Sequence, residues 1–547
     1  MASFIHKLTT DKRIAILVLS VLSLFFFIGL GLVHLFDWDE INFAESAREM
    51  IESGDYMRVQ INYQSFWEKP PFFFWLQVVS MKLFGITEFA ARFPNALFGL
   101  IYLITFFYIG KKHFDQRFGV MWALLFFASL LPHLYFKSGI IDPVFNYFIF
   151  MSIYFMLLVV GKSEEKIIRY AILAGIFSGL SVITKGPVGF LLLGLTFSVY
   201  VVVKRFKIFP EFKYILLFLF GFFVVVCSWL SIELYQNGYD IMIQFIQYQL
   251  ELFSSGVAGH EQPFYYHFVV VFIGCFPISV LALPSFKRSK EVTPFDIRTW
   301  MLCIFWVVMI IFSITTTKII HYSSMTYIPL SFLAAYYLHQ VLSGKVELKK
   351  YVRSMFLILG VILGLIIALL PVVLMNKEML FTYMNDPFAV DSLSTPLVWS
   401  GLEFLIGIFF IIGVFIAFVF LKRNEILKSV LSIASTMGIT LLLVLFFILP
   451  NIERFTQGPV VEFYSGLEGE DVYVECYGYK SYAQYFYFKQ PYGLPGGRFE
   501  RDWLMNGEID KPVYFVSKST NRELDDHPNF ELIEAKGGFR LYKRALN

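Results

Sequence analysis

About thirteen apolar runs, most of them near the length a bilayer demands, follow one another along this chain with only short polar loops between them. We place them at 14–35, 93–110, 117–135, 144–161, 168–184, 187–203, 213–235, 267–284, 298–315, 325–342, 354–375, 399–421 and 429–449. A bilayer core offers no water to backbone amides, so each run must satisfy its own N–H and C=O groups as a helix. The expected fold class is a polytopic α-helical membrane protein. Composition agrees: the 547 residues are 57% hydrophobic, against about 45–50% for a soluble domain. A net charge of +3 gives no case for nucleic acid. The four cysteines, 227, 275, 303 and 476, are scattered without a CxxC, so no disulfide framework is expected. The first run leads into acids and aromatics, not a small-residue cleavage site, and reads as a retained helix.

Lysine and arginine set the orientation. "KLTTDKR", "KKHFDQR", "GKSEEKIIR", "KRFK", "KRSK", "GKVELKKYVR" and "KRNEILK" fall on every second loop, beginning at the N-terminus. That side is expected to be cytoplasmic. Residues 36–92, "KSGIIDP", "TKGP", 236–266, "TTTKIIHY", 376–398 and everything after 450 then face outward. Within the first outer loop, 36–92, "DEINFAESAREMIESG" and "PPFFFWLQVVSMKLFG" have helical periodicity and stop at Gly54 and Gly85. Both are expected to lie in the membrane interface. Residues 451–547 regain charge and turns. "DVYVECYGY", "PVYFVSK", "FELIEA" and "GFRLYKR" alternate as strands, with "KSYAQYFYF" as a helix between the first two. The chain thus divides into a membrane part, 1–450, and a small extracytoplasmic α/β domain, 451–547.

The outer loops collect ionisable residues. Asp37, Asp39 and Glu40 follow the first run; Glu68 and Lys69 precede two prolines; Asp142 sits in "GIIDP" and Lys185 in "TKGP". His260 and Glu261 lie in "GHEQPFYYHF", and Lys318, His321 and Tyr322 in "TTTKIIHY". One chemistry needs such a mixture at one membrane face. A polyprenyl-phosphate sugar keeps its tail in the bilayer and its anomeric carbon at headgroup depth. Cations would offset the charge of the phosphate leaving group. A carboxylate would take a proton from an acceptor hydroxyl. Each residue also has a plainer reading. The acids could be solvated, or in the case of Glu40 support a helix N-terminus. Lys69 could snorkel. Arg48 could pair with Glu45 or Glu52 at helical spacing.

"DWDEINFAESAREMIESGDY" followed by "FWEKPPFFFWLQVVSMKLFGITEFAARFPNAL" resembles the first outer loop of the aminoarabinose transferase and dolichyl-phosphate-mannose protein mannosyltransferase superfamily. These are integral-membrane glycosyltransferases of the GT-C fold. "ITKGPVG", "GHEQPFYYH" and "TKIIHYSSMTYIPLSFLAAYYL" resemble later motifs of the same family in the same order, so the likeness spans roughly residues 10 to 345. The resemblance implies catalytic roles for Asp39 and Asp142. It implies that Lys69 grips a lipid phosphate, with Arg48 and Lys185 candidates for the same anionic site and Tyr322 lining it. Glu40, Lys318 and His321 are further substrate-binding candidates. Glu68 and His260 resemble positions that tie the first outer loop to the fourth, with zinc or another divalent metal as one means. No HExxH or clustered Cys/His set accompanies them, and no other cofactor is expected. Asn42 stands where the family often has Arg, a departure that weakens any transfer of substrate identity from the aminoarabinose enzymes.

The expected activity is inverting transfer of a sugar from a polyprenyl-phosphate donor to an acceptor outside a bacterial-type cytoplasmic membrane. A lipid A phosphate, a protein hydroxyl and a surface glycan all remain open as acceptors. The alternative is a transporter or flippase of the same lipids. Against it, the runs show no internal repeat, and most ionisable residues sit at the faces rather than mid-membrane.

Overall fold

The computed structural model describes residues 2–66, 68–161, 166–239, 243–248, 262–287, 296–315, 317–491 and 501–546. Among them, eight helices are long and apolar enough to cross a membrane: Glu88–His113, Asp142–Val160, Ile167–Lys185, Phe212–Gln236, Ile297–Ile314, Lys350–Met375, Phe404–Lys422 and Ile426–Phe447. Shorter apolar helices, Phe72–Phe84, Gln116–Phe127 and Val188–Val203, pack among them.

Close helix approach relies on glycine where lipid supplies no hydrophobic drive. A Cβ at Gly175 would collide with the Phe218 carbonyl, and one at Gly407 with the Gly364 carbonyl. These two contacts seat Ile167–Lys185 on Phe212–Asn237, and Phe404–Lys422 on Lys350–Met375.

Three expected runs are interrupted, each for a local reason. The helix of the first run, Lys12–Phe27, ends where Ile28 turns extended and Gly29 takes φ +79°, so residues 28–36 form turns instead of a last helical stretch. The run 117–135 breaks after Phe127, and the amide of Ser129 bonds back to the Phe126 carbonyl. The run 267–284 divides into Tyr266–Gly274, Ile278–Leu281 and Leu283–Phe286. Pro277 and Pro284 stand at these joints and have no amide to donate.

The first outer loop holds two helices, Asp39–Ser53 and Phe72–Phe84. Between them is a small hairpin of β1 (Gln60–Ile61) and β2 (Gln64–Ser65). Its turn, Asn62–Tyr63, has φ +54° at both positions, the two-residue geometry that follows strand twist. The Asp39 helix is packed inside the protein. Residues 40–50 are buried on every face, because Phe72–Phe84 and the C-terminal segment cover it and its charges pair within the protein.

At the C-terminus, β3 (Tyr473–Tyr477), β4 (Val513–Lys518), β5 (Glu531–Lys536) and β6 (Phe539–Arg544) form one sheet in the order β3-β4-β6-β5. The β3–β4 pair is parallel and the others antiparallel. The helix Ala483–Phe488 leaves β3 and packs on the Asp39 helix.

Candidate active site

Asp39 opens its helix, with Trp38 just ahead of it, and its side chain is 31% exposed. Its Oδ2 lies 3.7 Å from His321 Nε2. Asp142 likewise begins a helix, followed by Pro143, which suits a first turn because it has no amide to leave unsatisfied. Asp142 Oδ1 accepts from Lys185 Nζ at 2.7 Å. Lys185 is the last residue of its helix, which Gly186 ends at φ +91°. Its ammonium stands 5.7 Å from the Phe145 ring centre and 5.8 Å from that of Tyr322. Lys69 Nζ donates to Glu68 Oε1 at 2.5 Å.

His321 is where these charges meet. Burial lowers its pKa; Asp142 and Asp39 draw it up while Lys185 and Lys69 push it down, and the lowering prevails. At neutral pH it is an uncharged imidazole beside Asp39. Burial, together with the carboxylates of Asp142, Asp39 and Glu68, pushes the Tyr322 phenol up to about 12, so it stays a neutral donor. Asp39, Glu68, Lys69, Asp142, Lys185, His321 and Tyr322 thus converge from five separate stretches of chain.

Three other sequence-selected residues have different partners. Glu40 is buried in a bidentate pair with Arg92, Nε to Oε1 at 3.0 Å and Nη2 to Oε2 at 2.8 Å. It also accepts from the amides of Phe36 and Gly139. Burial alone would raise its pKa, but the Arg92 guanidinium overrides that and holds it below the usual carboxylate range. Both oxygens are committed, so Glu40 is an anchor and not a ligand group. Arg48, only 2% exposed, spends its fork on Glu45, with two contacts of 2.7 Å, and on the Gln490 carbonyl at 3.1 Å. This is the plainer helical pair and not an open anion site. Lys318 caps the end of Ile297–Ile314, donating to the Thr315 carbonyl at 2.6 Å. His260 lies outside the described residues. Among the described residues no group of three or more His, Cys, Asp and Glu is placed to hold a metal.

Sequence reasoning missed the hub behind the site. Arg92 also gathers the carbonyls of Leu30, Val33 and His34. Asn95, one turn on, donates to the carbonyls of Ser138 and Ile140, both at 2.6 Å. Together with Glu40 on Gly139, this hub fixes the loop before Asp39 against the loop before Asp142. A charged residue and an amide inside the apolar stretch "FAARFPNAL" were the available signal.

Beside Lys69 a cleft opens between the loop 36–92 and the end of Phe212–Asn237. Phe66, Pro70, Pro71, Trp229 and Phe245 give it largely apolar walls.

A family model described as dolichyl-phosphate-mannose-protein mannosyltransferase matches residues 68–230. An uncharacterised protein of Aquifex aeolicus is 29% identical over 336 residues, 60% of this chain and 74% of that one. An undecaprenyl phosphate-alpha-4-amino-4-deoxy-L-arabinose arabinosyl transferase of Wigglesworthia glossinidia brevipalpis is 25% identical over 335 residues, 59% of this chain. That match spans only 58% of the transferase's own length. The crystal structure of ArnT from Cupriavidus metallidurans bound to undecaprenyl phosphate superposes with a TM-score of 0.76 at 20% identity, covering 98% of both chains. The fold is therefore ArnT-like from end to end. The family match over residues 68–230 and the curated relatives thus make the chain similar to the dolichyl-phosphate-mannose-protein mannosyltransferases and the aminoarabinose transferases.

Proposed function

We propose that this chain is an inverting glycosyltransferase that moves one sugar from a polyprenyl-phosphate donor to an acceptor outside the membrane. The observation that carries this reading is that Asp39, paired with His321, shares one cluster with Asp142, Lys185, Lys69 and Tyr322. Lys69 and Lys185 offset the phosphate charge as it leaves, and Tyr322 donates a hydrogen bond to it. Asp39 faces the sugar from the other side. It takes the proton of a hydroxyl acceptor, or orients an acceptor that is already an anion. Neutral His321 keeps the Asp39 carboxylate aligned. Asp142 holds Lys185 in place until the phosphate competes for it. The apolar cleft ending at Lys69 suits an isoprenoid tail with its phosphate at the ammonium. The arabinosyl transferases named for undecaprenyl phosphate-linked sugar, and the ArnT bound to undecaprenyl phosphate, support a donor of that class.

In this reading the runs 14–35, 117–135, 187–203, 267–284 and 325–342 also cross the bilayer, for thirteen crossings in all. The N-terminus is cytoplasmic, and the C-terminal domain stands outside a bacterial-type cytoplasmic membrane. The acceptor is a lipid phosphate, a protein hydroxyl or a surface glycan. The testing experiment gives the purified chain a panel of undecaprenyl-phosphate sugars, 4-amino-4-deoxy-L-arabinose among them, with extracted envelope acceptors. Transfer that disappears in Asp39→Asn and Lys69→Ala, both folded, supports the reading. No transfer with any donor, alongside movement of the lipid across vesicles, replaces it with a transporter.

A further inference from the structure

The residues just ahead of Asp39 are held by the far end of the chain. His34 Nδ1 meets Glu453 Oε1 at 2.9 Å. The Leu35 amide donates to the Tyr487 hydroxyl at 2.7 Å, and its carbonyl accepts from Gln457 at 2.7 Å. The Asp37 carboxylate lies beside Ser481 and Tyr482. The Trp38 ring takes the Tyr482 ring edge-on, with centres 4.8 Å apart, and the Lys480 ammonium 4.7 Å from its centre. Further along, Arg48 and the Tyr63 hydroxyl both donate to the Gln490 carbonyl, whose side chain reaches Asn62 at 3.0 Å. Tyr482 is itself buried, within electrostatic range of Glu68 and Asp39.

Asp39 is the first helical residue, so the backbone of Trp38 sets where its carboxylate points. Trp38 has no side-chain cap bond of its own and is fixed by Tyr482 and Lys480. Resting on the reading that Asp39 faces the donor sugar, we propose that residues 480–490 form a strap that sets the position of Asp39, with Tyr482 as its positioning residue. The C-terminal domain is then part of the site and not an appendage to it. A displacement of about 1 Å at a reacting group is enough to lower a rate on the order of a hundredfold, so such a strap has leverage.

The test uses the full chain and the undecaprenyl-phosphate sugar that turns over in the assay above. Tyr482→Ala is expected to speed amide exchange at residues 35–38 at least tenfold. It should lower kcat at least tenfold with the donor KM within twofold. Tyr482→Phe keeps the ring on Trp38 and should restore both readings to within twofold of wild type. Unchanged exchange and kcat in Tyr482→Ala, or a lowered kcat with exchange at residues 35–38 unchanged, overturns the strap. If Asp39→Asn alone transfers at the wild-type rate, the donor-site reading fails, while amide exchange still decides the strap. Should Tyr482→Ala not fold, Lys480→Ala removes only the exposed ammonium. It should speed the same amides about threefold, and no change there overturns the proposal.

Discussion

Arg92 closes on both carboxylate oxygens of Glu40, and Glu40 in turn holds the Gly139 amide, so the loops leading to Asp39 and Asp142 share one buried anchor. Adjacent in sequence, Asp39 and Glu40 therefore face different tasks. One is partly open beside a neutral histidine; the other is sealed against a guanidinium.

Replacing them separates the tasks. Glu40→Gln leaves Arg92 buried without its counter-charge and should cost about 3–5 kcal/mol of stability. Asp39→Asn, at a site 31% exposed, should leave the melting temperature unchanged while abolishing transfer. Thermal melting of the two variants in one detergent checks this, and equal losses of stability would remove the distinction.

The Asp142–Lys185 contact should behave as a coupled pair. Each single variant, Asp142→Asn or Lys185→Met, exposes its partner's uncompensated charge. The double variant should recover about 1–3 kcal/mol of the summed loss. Additive losses in the four-way cycle would mean that the two side chains do not depend on each other.

Glu49 gives a pH signature. Burial first, and the Glu45 carboxylate second, push its pKa up to about 9 from an ordinary 4.5. Between those two values the folded chain binds a proton that the unfolded chain has released. Stability from this group is therefore highest below pH 4.5 and falls as pH rises, by about 1.4 kcal/mol per unit at most, until about 9. Melting at pH 6 and pH 8.5 should differ in the wild type. Glu49→Gln keeps an acceptor for the Tyr63 amide and should flatten this dependence. A variant as pH-sensitive as the wild type would assign the slope elsewhere.

Lys69 should be visible in binding as well as in turnover. Undecaprenyl phosphate at saturating concentration should raise the melting temperature of the wild type. Lys69→Ala removes a charge-assisted contact and should weaken the affinity by about 1.5–3 kcal/mol, roughly 10–100-fold. Retention of full ligand stabilisation in the variant would take Lys69 out of the phosphate site.

Much of this was legible in the chain because its signals are local. The alternating stretches of the C-terminal region mark β3 to β6, and the outer-loop polar residues mark the seven that converge around His321. The rest depends on distant partners. The fork of Arg48 suits a phosphate as well as it suits Glu45, and only the fold decides between them. Glu40 reads as a twin of Asp39 until Arg92, fifty-two residues on, claims it. Arg92 itself is masked by the apolar run around it. The order β3-β4-β6-β5 depends on a parallel pairing across 40 residues, which strand alternation does not specify.

The bonds from Leu35 to Tyr487 and from His34 to Glu453 span 452 and 419 residues. A ribosome adding about 5–20 residues per second needs roughly 20–90 s between making their two ends. Through that interval the segment before Asp39 emerges without the partners that fix it. Residues 453–490 finish what residues 34–38 began. If the strap holds, a chain truncated before Tyr482 would keep its membrane helices and leave Asp39 without the contacts that place it.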